Sequence, residues 1–386
     1  MDKAKFTRSA PGQLIPIKTP EPDWAFVPSR VPRDWALPQE LVPILVDARQ
    51  ALARLDGAGR YMPAHSILLR PLQQREAIRS SSLEGTFATA EELLMYGLEP
   101  KPPASSTDPV NAWREVFNYD KALQRGQKLL KTLPLSSRLV RELHKDLLDE
   151  VRGSDRTPGE FRQRQVHIGA DKRFVPPPAE RIPDLMSDLE KYMNDGDDTT
   201  DPLVRAFLAH YQFESIHPFP DGNGRVGRLL LSLMVFRGCG LGSPWLYLSP
   251  YFDKYKDDYI DCLFRVSTHG AWDKWIELCL RGTVAETQEA MSRIDRLLAL
   301  KTKYEQKLAR LPRVSARLQQ IVVSLLGSPI VNIPTLARRF DVTFPTAQAD
   351  VTKLVSIGIL KETDRKAKPQ FFVAQEIFAA AYSEKE

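Results

Sequence analysis

The chain has 386 residues, 42% of them hydrophobic and 27% charged, with a formal net charge of +5. That is ordinary globular composition in a length that suits two or three domains, and the mild charge excludes a strongly polyanion-seeking protein as a whole. No apolar run approaches a membrane span, Met1 to Gly12 has no apolar signal-peptide core, and Cys239, Cys262 and Cys279 form neither a zinc spacing nor a disulfide framework, so a cytoplasmic protein with reduced core thiols is expected.

Residues 1–40 are proline-rich, which forbids a long helix or a central strand. With Trp24, Phe26 and Trp35 among them, they predict an extended arm laid on the surface. Leu41, Ile44, Leu45, Ala48 and Leu52 recur at helical spacing. A second helix is expected from about Pro71 to Glu84, stopped by Gly85, and a third from Thr89 with Glu92 completing a capping box. Further helices follow through 107–150, including Ser136 to Asp149. The run Thr157 to Arg162 breaks the pattern. Gln165 to Pro176 then reads as a hairpin in which Val166 and Ile168 alternate, Gly169 to Lys172 turn, and Phe174 and Val175 return. Helix resumes over 180–215 around the acidic turn Asn194 to Asp201. Trp245 to Ser249 is a short apolar segment, Tyr251 to Phe264 has helical spacing, and Val284 to Leu311 reads as a long connector helix.

The last 70 or so residues resemble a winged helix-turn-helix: helices at 318–325, 333–340 and 344–357, then strands at Ile359–Leu360 and Phe371–Val373 around a basic tip, Lys361 to Lys368. Between Pro312 and Phe372 nine basic residues face four acidic ones, a net +5 equal to that of the whole chain. The charge suits phosphate contacts, yet the third helix, with Thr346, Gln348, Asp350, Thr352 and Lys353, is not strongly basic. DNA contact and protein contact both stay open for this unit.

The richest stretch is 217–228, HPFPDGNGRVGR. Apolar helical sequence flanks it on both sides, and Pro218 and Pro220 forbid a continuous helix through it. Its polar residues therefore lie on a loop that runs into the N-terminus of a buried helix. Gly222, Asn223 and Gly224 can turn successive N–H groups inward, and the following helix aims its dipole at the same spot, which suits phosphate. Arg225 and Arg228, three apart, share a helix face and can fork onto phosphate oxygens. Asp221 is one hard carboxylate, which suits Mg²⁺. His217 is the group whose unperturbed pKa suits a general base near neutrality.

This stretch resembles the signature of the Fic family, His-x-Phe-x-(Asp/Glu)-Gly-Asn-Gly-Arg-x-x-Arg, without departure. The resemblance implies a mainly α protein, a Fic helical core with a small β-hairpin flap, that transfers AMP from ATP to Tyr, Thr or Ser hydroxyls of proteins, itself included. It also implies His217 as the base, Asp221 as the ligand of Mg²⁺ or Mn²⁺, and residues 222–228, Val226 and Gly227 among them, as the ATP-phosphate site. Ser80 to Gly85, SSSLEG, resembles the family's inhibitory motif, (Ser/Thr)-x-x-x-Glu-(Gly/Asn). In that class the glutamate, here Glu84 with Ser80 one turn earlier, pairs with the second signature arginine, Arg228, and ATP binds unproductively. The hairpin with Val166, His167 and Ile168 resembles the flap that holds a target segment as an added strand, and Lys254 or Tyr255 falls where family members approach adenine. The domains expected are an arm (1–40), an N-terminal helical region with the inhibitory motif (41–106), the Fic core (107–283), a linker helix (284–312) and the winged helix (313–386). A homodimer is a further expectation of the resemblance. Two other functions use the same residues: removal of AMP from modified proteins, and a nucleotide-sensing DNA-binding regulator.

Overall fold

A computed structural model describes the chain apart from residues 19, 34, 62–64, 152–156, 170–171, 197–198, 313, 364–368 and 385–386. It is mainly helical. An N-terminal hairpin, β1 (Gly12–Ile17) and β2 (Asp23–Pro28), precedes α1 (Val42–Tyr61), α2 (His65–Leu83), α3 (Ala90–Leu98), α4 (Val110–Leu129) and α5 (Ser137–Leu147). Then come α6 (Ile182–Asn194), α7 (Pro202–Ile216), α8 (Asn223–Gly238), α9 (Ser249–Lys254), α10 (Lys256–His269) and the 38-residue α11 (Trp272–Ala309). The C-terminal unit holds α12 (Ala316–Leu325), β3 (Ile330–Asn332), α13 (Ile333–Arg339), α14 (Phe344–Ser356), β4 (Lys361–Glu362), β5 (Phe371–Val373) and α15 (Gln375–Tyr382).

Local chemistry sets many of these ends. Thr89 and Glu92 form the expected capping box on α3. Ser136 caps α5 through Leu139 N, and Asp201 caps α7 through Leu203 N with Pro202 at the first turn. α7 and α8 are buried nearly all round, and Phe207, Phe213, Val226, Leu229 and Leu233 are fully enclosed. The two helices therefore form the centre of the core, and the loop between them is held from below by packed side chains.

Several expectations change. The proline-rich arm is a strand pair, not a surface strap: Ala25 and Phe26 are fully buried, Phe26 N donates to Val175 O at 2.9 Å, and the Phe26 ring lies 5.7 Å from Phe174. Pro16 sits in β1 because the sheet has two strands and each has a free edge. The second helix starts six residues early, at His65, and carries Pro71 inside it. Leu68, Leu69 and Leu72 are buried around that proline, so packing outweighs the lost backbone bond. The expected hairpin at 165–176 narrows to one bridge, Ile168 with Phe174, and residues 170 and 171 of its turn lie outside the described residues. The helix expected over 251–264 breaks at Tyr255 into α9 and α10. The connector expected from Val284 is the second part of α11, whose first part buries Trp272, Trp275, Ile276 and Leu280 in the core.

In the C-terminal unit the order is helix, strand, helix, helix, strand, strand, helix, with the three strands antiparallel in the order β3-β5-β4. β3 and α15 carry no sequence expectation. The strand expected at Ile359–Leu360 is instead Lys361–Glu362, the two earlier residues being buried without pairing. Most of the basic tip, with Arg313, lies outside the described residues. Asp350 is buried and paired with Arg317 at 2.6 Å, so it is not on the exposed face that Gln348, Thr352 and Lys353 share. The unit is fastened to the rest of the chain through its last turn. Arg293 on α11 donates to Ala381 O and Ser383 O, and Glu384 pairs with Arg75 and Arg79 of α2.

Candidate active site

His217 closes α7 in the left-handed region, φ 51°, with its N–H on Phe213 O. That conformation turns the chain sharply out of the helix. Phe219 N and O then exchange hydrogen bonds with the Asn223 side chain, both at 2.8 Å. Asn223 thus latches the loop with its side chain. Gly222, φ 76°, is the N-cap of α8, and the first-turn N–H groups of Asn223, Gly224 and Arg225 have no acceptor within the helix by position. They form the anion-seeking end that the sequence predicts.

Three residues outside the stretch hold it. Arg162 is buried and donates from Nε to His217 O at 2.8 Å, from Nη1 to Arg164 O and from Nη2 to Pro177 O, while its N–H reaches Pro218 O. Burial pulls its pKa down to about 10, so it stays charged and joins the 217–222 loop to the segments around Arg164 and Pro177. His144 on α5 accepts from Gly159 N at Nδ1 and so donates from Nε2 to Asp221 O at 3.0 Å. Its ring stacks on Phe219, 3.8 Å between centroids. Glu115 on α4, also buried, takes Arg225 Nη1 at 3.2 Å and the Thr86 hydroxyl at 2.9 Å. A break in helical pattern at 157–162 is the one sequence signal for Arg162, and nothing local marks His144 or Glu115.

Arg228 is held by the end of α2. Nε donates to Ser80 Oγ, and Nη2 to Ser80 O and Glu84 Oε1, each at 2.8 Å. Gly224 makes the approach feasible, since a Cβ there would overlap the Glu84 carboxylate and lie 2.8 Å from Arg228 Nη1. Burial pushes the Glu84 carboxyl up, but the Arg228 charge and hydrogen bond outweigh it and hold the group below its usual range. Ser82 Oγ donating to Asp253 and Lys256 Nζ to Leu83 O fix the end of α2, and Ser249 Oγ donates to Glu76 in its middle.

Of the expected site residues, Glu84, Ile168, His217, Gly224 and Arg228 face one cavity of about 300 Å³, whereas Ser80, Asp221, Gly222, Asn223 and Arg225 are not among its lining. Glu84, Glu214, His217, Gly224 and Arg228 line one part of it, and Ile168, Phe174, Tyr211, Tyr259, Leu263 and Phe264 line an apolar part. His217 is drawn down to about pKa 4 by burial first and by the Arg162 charge second, with Glu84 and Asp221 opposing. Its Nδ1 is buried without a well-formed hydrogen bond beside the Glu214 carbonyl. A proton on Nδ1 leaves Nε2 to accept one from a substrate. Asp221 stands at the loop, 35% exposed, with Oδ1 accepting from Gly222 N and 4.0 Å from Arg225 Nη2.

Other expected site residues fall elsewhere. Val226 is turned wholly into the core, and Gly227 faces Glu214 across α7, so neither meets the cavity. The 100° step of the helix gives residues 224 and 228 to the cavity and takes 226 and 227 away. Of the flap residues Ile168 lines the cavity, whereas Val166 and His167 do not. Lys254 and Tyr255 lie outside it as well, because the break before α10 brings Lys256, Tyr259 and Ile260 there instead.

Two family models match: Fic/DOC family over residues 134–235 and Fic/DOC family N-terminal over residues 42–128. The first contains the whole loop and the second the whole inhibitory motif. The chain carries a Fic domain and a Fic N-terminal segment. Among curated relatives, the protein adenylyltransferase Fic of Drosophila melanogaster is 32% identical over 133 residues, 33% of this chain and 25% of the relative. The protein adenylyltransferase fic-1 of Caenorhabditis elegans is 37% identical over 99 residues, 25% and 18% of the two chains. The Fic match thus spans about a quarter of the length of the first of these relatives. The fold resembles a Fic family protein from Desulfovibrio desulfuricans G20, with a TM-score of 0.54 and 19% identity, covering 88% of this chain and 97% of that one. It also resembles Fic-1 from C. elegans, with a TM-score of 0.52 and 23% identity over 68% and 76% of the two chains.

In Fic terms, the loop that carries the signature owes its shape to Arg162, His144 and Asn223. Arg162→Ala leaves three or four buried carbonyls without a donor. A loss of at least about 3 kcal/mol is expected, since each unsatisfied buried group costs roughly 1–3 kcal/mol. Urea unfolding would read it. An unchanged midpoint would show that the loop does not depend on Arg162.

Proposed function

We propose that this protein is an ATP-dependent protein adenylyltransferase held off by Glu84. The observation that carries the reading is the single cavity shared by an uncharged His217, the N-terminus of α8 and an Arg228 already engaged by Glu84. The names of the relatives, adenylyltransferases over the matched segment, support it.

The imidazole of His217 takes the proton of a Tyr, Thr or Ser hydroxyl as its oxygen bonds to the α-phosphorus. The bond from that phosphorus to the β-phosphate oxygen breaks, and diphosphate leaves with the electron pair. The first-turn amides of α8 stabilise charge on the transferring phosphate. Arg225, oriented by Glu115, steadies the diphosphate, and Arg228 binds the γ-phosphate once Glu84 withdraws. A divalent cation fits beside Asp221. The described residues contain no cluster of three metal-ligating side chains, and one partly exposed carboxylate is a donor set that suits Mg²⁺ or Mn²⁺, whose shell phosphate oxygens and water would complete. Such an ion would neutralise phosphate charge. The apolar part of the cavity suits the adenine, and the edge at Ile168 suits a target strand. No described helix is long and apolar enough to cross a membrane, and three free cysteines suit a reducing compartment such as the cytoplasm.

Purified protein incubated with ATP labelled at the α or at the γ position tests this. Label on protein from the α position alone is the expected result. Label from γ would make it a kinase, and label from neither, with operator DNA bound, a nucleotide-sensing regulator. Glu84 also faces the cavity with an ionised carboxylate, which is the arrangement a water-activating base would need. Loss of AMP from pre-modified protein under the wild-type chain, and not under Glu84→Gly, would make AMP removal the activity.

A further inference from the structure

The cavity contains a carboxyl that the mechanism above leaves unused. Glu214 lies in the last turn of α7, three residues before His217. Its Oε1 is buried with no hydrogen-bond partner. The carboxyl rests on Gly227 of α8, where any Cβ would collide with Oε1. It lines the cavity together with Glu84, His217 and Arg228, and it makes no ion pair within 4 Å among the described residues, despite the arginine nearby. A buried polar atom normally has a partner. The side chain also lines the cavity, so a proton on this unpaired carboxyl lies within reach of a substrate oxygen.

The geometry points to Glu214 as a substrate-contacting residue: its carboxyl, kept in the acid form, donates a hydrogen bond to an oxygen of the γ-phosphate that Arg228 holds. This rests on the adenylyltransferase reading and adds a residue to it. Burial, with Glu84 adding and Arg228 opposing, raises the group to about 8, so at neutral pH it carries a proton to donate. An ionised carboxylate there would repel a triphosphate. The charged and titratable groups around it are Arg228 from α8, Glu84 from α2, Tyr259 and Lys256 from α10, and His210 and His217 from α7. His210 donates to Gly227 O from Nδ1 and so accepts the Tyr259 hydroxyl proton at Nε2. Burial takes His210 and His217 to about 3 and 4, and Tyr259 well above its usual value. Between pH 7 and 9 Glu214 is therefore expected to lose its proton.

The test uses full-length protein in the Glu84→Gly background, which frees Arg228, and measures ATP and ADP binding by calorimetry at pH 7 and pH 9. Glu214→Gln keeps a donor and should bind ATP as the background does at pH 7, with no weakening at pH 9. The background itself should weaken as the pH rises, and should begin to do so at a lower pH than a group at about 8 would, because Glu84 no longer helps to raise Glu214. Glu214→Ala should lose roughly 10- to 100-fold in ATP affinity, the range for a hydrogen bond to a charged group, and little for ADP. Equal ATP binding by all three at both pH values would overturn the proposal, as would an equal loss for ADP. If ATP binds as described but no α-label reaches protein, the contact stands and the transferase reading falls. The Gln variant, isosteric and uncharged, keeps the result separate from misfolding.

Discussion

Glu84→Gly is expected to raise AMP transfer, self-modification included, by roughly 10- to 100-fold, since a hydrogen bond to a charged group contributes about 1.5–3 kcal/mol. In the wild-type chain Arg228 is engaged on one side: Ser80 supplies two acceptors and Glu84 a third. The substitution removes only the third. Arg228 keeps its Ser80 contacts and its place, and one side of the guanidinium opens toward the cavity. Glycine is tolerated because Glu84 follows the last residue of α2 and precedes a left-handed Gly85. The pH dependence has a definite sign. The Glu84 carboxyl titrates below its ordinary range, so the lock is complete at neutral pH and loosens only as acid protonates the carboxylate. Equal and strong labelling by wild type and Glu84→Gly, measured with α-labelled ATP, would remove the inhibitory role.

His217→Asn should lower transfer by at least ~10²- to 10⁴-fold, the usual contribution of a positioned general base. Asparagine is the better replacement because residue 217 has a positive φ, which Asn tolerates and Ala does not. An ordinary histidine would be about nine-tenths protonated at pH 5.5, and activity would fall about tenfold there. Here burial and the Arg162 charge bring the imidazole to about 4, so it stays neutral and competent. In the Glu84→Gly background the opposing carboxylate is gone and the value moves further down. The rate should therefore hold between pH 7 and pH 5.5. A tenfold fall over that interval would show an unperturbed base. The same depression has a stability cost with the same sign. The unfolded chain binds protons at His144, His210 and His217 that the folded chain refuses, so stability falls as pH drops from about 6.5 toward 4.

The parts of the site that the sequence showed are those whose chemistry is local. Gly222 and Gly224 with two prolines impose a turn whatever surrounds them. Arg225 and Arg228 share a face because of the helical step. Thr89 with Glu92 is a cap within four residues. Glu84 was legible through its motif, and its odd position at a helix C-terminus required a cation from elsewhere. The residues that went unnoticed act across distance. Arg162 reaches 55 positions to His217 and His144 reaches 77 to Asp221. No periodicity or spacing encodes such a pair. Glu214 looks like any helical glutamate until α8 presents a glycine opposite it.

By itself, then, the sequence determined a mainly helical chain and predicted an anion-seeking loop with a candidate base and a candidate competing carboxylate, because turn, cap and helix-face rules operate over a few residues. Tertiary structure alone decided that Pro71 lies inside a helix, that the proline-rich arm is a strand pair bracing Phe174 and Val175, and that Lys256 and Tyr259 rather than Lys254 and Tyr255 meet the cavity. It also decided the protonation of the site. His217, Glu84 and Glu214 have ordinary pKa values as isolated residues. Their charge states follow from how much water the packed helices exclude and from how near Arg162 and Arg228 are brought, and both are set only when α2, α7, α8 and α10 close on one another.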